Sequence, residues 1–326
     1  MSIVKPPKNQ SLYYFIEKIL DYAGIFPPEK LALPNAFQNF NGYKKSEFSW
    51  VLSKFIITAN KLNELTKLIK KSDALPELSL SVIGSSGNDI SEFSKNFSND
   101  LISIEQFYNQ NFPNISMDSF EVKLPQSTFN NLDSDEILEI MISVSTGLEG
   151  TLGKNLPVFF EAPLSENYEQ EIFLSAQSIA ALSNNCGYKL RTGGVVKSAF
   201  PSAEVIAYAI LSCLEFKIPI KFTAGLHHPF FHFNKQYNTD MHGFINVFAA
   251  AILAYQFELS EIEIINILTD QNSETFIFNN DFFQYKDYKL KNSKISSSRN
   301  EFALSFGSCS FIEPIDDLKN CGFLKS

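Results

Sequence analysis

A chain of 326 residues can form one large domain or two ordinary ones. Its 44% apolar and 19% charged residues exclude a disordered chain, and a net charge of −9 argues against a nucleic-acid binder, whose phosphate partners need a basic surface. The four cysteines (Cys186, Cys213, Cys309, Cys321) show no Cys-x-x-Cys spacing. The first residues, Met1 to Lys8, hold no apolar run of signal-peptide type, and the apolar stretch 244–257 is too short to span a bilayer. A soluble cytoplasmic protein with reduced thiols is expected.

In chain order, residues 11–22 read as a helix, with Leu12, Phe15, Ile16, Ile19 and Leu20 on one face. Asp21 to Pro28 then ends it, since Gly24 and two prolines cannot continue a helix, and this rigid segment is a candidate lid or plug. From about residue 47, strand-like and helical patterns alternate. Strands are expected at 50–57, 78–83, 120–124, 157–161, 188–191 and 220–223. Helices are expected at 60–70, 90–108, 134–145, 168–183, 201–216, 243–257 and 260–269. A further strand is expected at 303–308 and another within 275–283, while the polar tract 289–300 reads as an exposed loop.

Such alternation implies a parallel sheet with helices outside. Seven or eight strands, with no Gly-x-Gly-x-x-Gly after the first, favour an α/β fold of (β/α)8 TIM-barrel type over an open sheet. Residues 1–46 are then an N-terminal helix and loop packed on a barrel formed by 47–326.

Several expected strands carry charge at or near their C-terminal ends: Lys54, Glu121 with Lys123, Glu161, Lys189 with Arg191, and Lys221. In a barrel these ends surround one mouth, where active sites gather. Lys189 and Arg191 share a strand face, and two like charges buried together need an anion or a carboxylate such as Glu161. Arg191 would clamp the anion, with Thr192, Gly193 and Gly194 adding donors and Lys123 and Glu121 contributing nearby. Lysines among cations should have lowered pKa values, as a Schiff-base nucleophile requires, so Lys123, Lys189 and Lys221 are all eligible.

His227 and His228 follow the glycine turn after Lys221 and are candidates for proton transfer. An alternative takes His227, His228, His242 and Glu161 (or Asp240) as ligands of a divalent metal; otherwise no cofactor is called for. His232 reads as structural and Cys309 as packing.

The run Lys189-Leu190-Arg191-Thr192-Gly193, a helix, and then Lys221-Phe222-Thr223-Ala224-Gly225 resembles the paired lysine strands of the deoxyribose-phosphate aldolase family. That resemblance implies a barrel with a Schiff-base lysine at Lys189 and a second lysine on the next strand. Lys221 stands one residue before the family's position, which Phe222 occupies.

The reading favoured is a barrel enzyme for a small phosphate- or carboxylate-bearing metabolite, with lyase, aldolase or isomerase chemistry. Lys189, Glu161, Lys221, His227 and His228 would be catalytic. A metal-dependent hydrolase or lyase is the first alternative. The second is a non-catalytic ligand-binding or assembly barrel, in which Arg191 and Glu161 close a bridge with no open pocket beside it. The expected partners are the metabolite and, as one option, a second copy of the chain, but neither nucleic acid nor membrane.

Overall fold

A computed structural model of the chain describes residues 9–72, 77–182 and 186–325. Its first half runs α1 (Gln10–Ile16), β1 (Leu20–Tyr22), α2 (Leu33–Tyr43), β2 (Leu52–Thr58), α3 (Leu62–Lys70), β3 (Leu78–Ile83), α4 (Ile90–Tyr108), β4 (Ile115–Lys123) and α5 (Ser134–Leu152). There follow β5 (Val158–Glu161), α6 (Tyr168–Ala181), β6 (Gly187–Arg191), α7 (Ala203–Glu215), β7 (Ile220–Thr223), β8 (His232–Asn234), β9 (Thr239–Met241), α8 (Phe244–Phe257) and α9 (Glu261–Leu268). The chain ends with β10 (Phe276–Phe278), β11 (Phe282–Tyr285), β12 (Tyr288–Lys291), α10 (Asn292–Glu301), β13 (Ala303–Ser308) and α11 (Ile312–Asn320).

Among the described residues, eight parallel strands close a barrel in the order β1-β13-β7-β6-β5-β4-β3-β2. The fold is the expected (β/α)8 barrel. The helices lay apolar faces on it, as α3 does with buried Leu62, Leu65 and Ile69. The most apolar helix, α8, is buried from Phe244 to Ala254, so it lies beneath other elements instead of facing water. The start of α9 shows the local logic: Ser260 and Glu263 form a reciprocal capping box that starts the helix where the sequence predicts it.

The eighth strand is not where the pattern predicts. Residues 11–22 split into α1 and β1, with Lys18 in a left-handed conformation (φ 48°) at the bend. Strand β1 pairs with β13 and β2, so the barrel begins inside residues 1–46. Three residues are too few to show a two-residue period, and the apolar positions before them continue a helical spacing. The expected strand within 275–283 belongs instead to a separate antiparallel sheet, β10-β11-β12. The tract 289–300 holds the end of β12 and most of α10, and its Arg299 is buried. Residues 1–8 and the expected end of α6 at Ser183 lie outside the described residues. No helix among the described residues is long and apolar enough to cross a membrane.

Candidate functional site at the barrel mouth

Parity along the strands aims a set of charged side chains inward. The register pairs Lys189 of β6 with Lys221 of β7, Lys123 of β4 with Glu161 of β5, and Asp21 of β1 with Gly307 of β13. Asp21, Glu121, Glu161, Lys189 and Lys221 are all buried. Lys221 Nζ lies 2.7 Å from Asp21 Oδ2 and also bonds Glu121 Oε1. Lys189 Nζ lies 3.0 Å from Glu121 Oε2 and 3.1 Å from Glu161 Oε2. Above them, Arg191 approaches Glu161 at only 4.0 Å.

The charges thus alternate in sign as a column through the barrel, Asp21, Lys221, Glu121, Lys189, Glu161, Arg191. Hydroxyls complete it: Ser305 donates to Asp21 at 2.7 Å, and Ser81 donates to Glu121 while lying 2.7 Å from Ser119. Alternation is what permits burial here, because each ion meets opposite charge in a low-dielectric interior. Burial alone would lower the pKa of each lysine, but the carboxylates around them outweigh it and raise both. Burial likewise opposes ionisation of Asp21 and Glu121. Lys221 acts on both, aided by Lys54 at Asp21 and by Lys189 at Glu121; Asp21 is held well below the usual range and Glu121 at about 2. The expectation of a lowered pKa is therefore corrected for Lys189 and Lys221: their nearest neighbours are carboxylates, not cations.

A cavity of about 290 Å³ opens at the C-terminal ends of the strands. Lys189 and Glu161 form part of its lining, together with Lys123, Arg191, Gly194 and His227. Phe26, Pro27 and Pro28 wall one side, so the segment expected as a lid or plug does border the site. This loop is tied to the barrel by the Ala23 N–H, which donates to the Ser308 carbonyl at 2.7 Å. Arg191 and Glu161 pair loosely at 4.0 Å, and an open cavity lies beside them, unlike the closed bridge that the non-catalytic alternative expects.

Several expected site residues stand elsewhere. Glu121 and Lys221 are part of the column below the cavity and do not line it. Thr192 spends its N–H and hydroxyl on β7, donating to the carbonyls of Thr223 and Ala224. Gly193 packs against Gly225, where an added Cβ on Gly225 would lie 2.7 Å from the Thr192 carbonyl oxygen and would have to accept φ of 76°. Thr192 and Gly193 shape the turn and do not line the cavity. Lys54 is the third residue of β2, near the opposite face, and its N–H donates to Asp21 Oδ1 at 2.9 Å.

The histidines separate. His227 lines the cavity, and its Nδ1 lies 2.9 Å from Glu313 Oε2 on α11. His228 pairs through Nδ1 with Asp317, one turn further along the same helix. His242 is buried beside the Pro201 carbonyl, 3.0 Å away, and burial lowers its pKa. The proposed metal set is therefore dispersed, and among the described residues no group of three or more His, Cys, Asp or Glu is arranged to hold a metal ion. Cys309 lines the cavity, but burial pushes its thiol up to about 11, so it is not a ready nucleophile. Asp21 escapes sequence reasoning because its strand is hidden; the signal for it is an acid isolated in an apolar run before a turn.

No protein-family model matches the sequence, and no curated protein matches it.

Proposed function

We propose that the chain is a barrel enzyme acting on a small anionic metabolite by carbon-acid chemistry, of isomerase or lyase type. The observation that carries this reading is the Lys189 ammonium, buried at the cavity between Glu121 and Glu161, beneath two cations with spare capacity. Among the described residues the Lys123 side chain has no ion pair or hydrogen bond, and the Arg191 side chain has only the 4.0 Å contact to Glu161. These two would hold the substrate's phosphate or carboxylate. A carbonyl oxygen facing Lys189 would gain stabilisation as negative charge develops on it, from a cation fixed in place before reaction.

His227 is the candidate base. Glu313 engages Nδ1, which leaves Nε2 to accept a proton from the carbon beside the carbonyl. The electron pair of the broken C–H bond moves into the carbonyl, giving an enolate opposite Lys189. Where the deprotonated carbon bears a hydroxyl, that hydroxyl's proton passes to the enolate oxygen and His227 returns the abstracted proton to the former carbonyl carbon, which completes an isomerisation. Where the next carbon bears a leaving group, the enolate pair restores the carbonyl and forms a C=C bond as the group departs with its bonding pair and takes up a proton, which completes an elimination.

Thermal stabilisation by sugar phosphates, keto acids and dicarboxylates, with and without divalent metals, tests the reading. A hit that raises the melting temperature of wild type but not of Arg191→Ala is expected. Silence across the panel would overturn it and favour a non-catalytic barrel. The Schiff-base reading draws support from the register that sets Lys189 beside Lys221 on the next strand, although Lys221 stands one residue before the position that the resembled family uses. It requires Lys189 to release a proton that two carboxylates stabilise. Borohydride reduction with a bound keto compound distinguishes the two: a covalent adduct on Lys189 would replace the electrostatic role with imine chemistry.

A further inference from the structure

We infer that the substrate carries an uncharged, largely apolar extension beyond its anionic group, held in a side cavity between the β5–α6 and β6–α7 loops. This rests on the proposed function above. The side cavity, of about 400 Å³, shares Lys123, Glu161 and Arg191 with the main one. The two unsaturated cations therefore belong to both spaces, and an anion placed on them would stand at the junction. Beyond those three shared residues the lining carries no charge: Leu164, Tyr168, Pro201 and Val205 supply apolar surface, and Ser165 and Ser198 supply hydroxyls.

The wall is built and not improvised by a ligand. Buried Glu171 accepts from the Ser165 N–H at 2.8 Å, from the Ser165 hydroxyl at 2.7 Å and from Gln126 Nε2 at 3.0 Å, which pins the β5–α6 loop. Tyr168 is set edge-on against Tyr208 with ring centroids 6.3 Å apart. An anion flanked by a reacting carbonyl on one side and an apolar group on the other fits this shape. A bare small acid or phosphate would leave the side cavity to water, and an apolar extension gains by displacing it.

Calorimetry with two probe pairs tests this: inorganic phosphate against phenyl phosphate, and acetate against 3-phenylpropionate. In wild type, the phenyl-bearing member of at least one pair should bind about tenfold more tightly or better. Val205→Trp, which fills the cavity, should erase that gain while the parent anion still binds, and Ser198→Trp on the exposed loop should do the same should the first variant fold poorly. Equal affinity within both pairs in wild type, or a gain that survives both tryptophans, overturns the inference. Parent-anion binding that is lost in Arg191→Ala, without any phenyl gain, leaves the proposed function standing and removes only the extension. Failure of every probe to bind wild type removes the anion site itself, and the extension with it.

Discussion

Lys221 sits where a lysine is least expected, 1% exposed, with its ammonium 5.7 Å from the Phe159 ring centroid and between two acids. It does not line the cavity, so its work is to neutralise Asp21 and Glu121 and thereby hold Glu121 ready beneath Lys189. Removing one member of a buried pair strands the others, which typically costs about 3–5 kcal/mol. Lys221→Met should therefore destabilise the fold by about that amount in urea titrations. Adding Asp21→Asn should restore part of the loss, because the stranded acid is gone, so the double variant is less damaged than the sum of the singles. Strict additivity would mean the two groups do not act as a pair. Lys189 differs in kind: it borders the cavity, and Lys189→Met should remove ligand binding even where stability is recovered.

At the level of elements, the parts that were hardest to read are the ones that close the barrel. Strands β2 to β7 are legible because short apolar runs alternate with helices of one-sided apolar spacing, except that β4 begins at Ile115, five residues before the expected start, where Ser116, Asp118 and Ser119 hide it. Strand β1 is not, since its three residues follow a helix in register with them. Helix α10 hides for another reason: its polar composition reads as solvent-facing, yet Arg299 turns inward. Arg299 Nε donates to the Phe15 carbonyl at 2.9 Å, one terminal nitrogen bonds the Ala303 and Leu304 carbonyls, and the other reaches the Glu17 carbonyl at 3.2 Å. One side chain thus ties α1, the bend before β1 and the start of β13, the seam where the barrel's two ends meet. Burial lowers its pKa to about 9, which leaves it charged at neutral pH. Arg299→Met would orphan those carbonyls beside a closing seam, and a loss of at least about 3 kcal/mol is expected. Arg299→Lys has one donor centre where four bonds diverge, so it should recover only a minor part. A chemical denaturation midpoint unchanged in Arg299→Met would show that the seam closes without it.

For the molecule as a whole, the interior is a column of alternating charge where a barrel of this type usually packs branched apolar residues. The sequence displays most of the column, since Glu121, Glu161, Lys189 and Lys221 each interrupt an apolar strand, but strand parity alone cannot say which ions meet. That choice depends on register across strands far apart in the chain, and it is why lysines expected to repel one another are instead each held between acids. The arrangement fixes a pH dependence. Asp21 and Glu121 have folded pKa values below their ordinary ones, so their contribution is present above roughly pH 4.5 and fades as pH falls toward about 2. Lys189 and Lys221 have raised values, so theirs is complete below about pH 10.4 and fades only as pH climbs through the higher folded values. Between those limits the column should contribute a constant stability. Urea midpoints followed from pH 6 down to pH 3 should fall in wild type and fall less steeply in Glu121→Gln, which has no carboxylate to protonate at that position. The variant should start from a lower midpoint at pH 6, because Lys189 and Lys221 each lose a partner there. Parallel slopes would mean that Glu121 takes up its proton at an ordinary pH, and the column would then not be the ionised network that keeps Lys189 charged below the cavity.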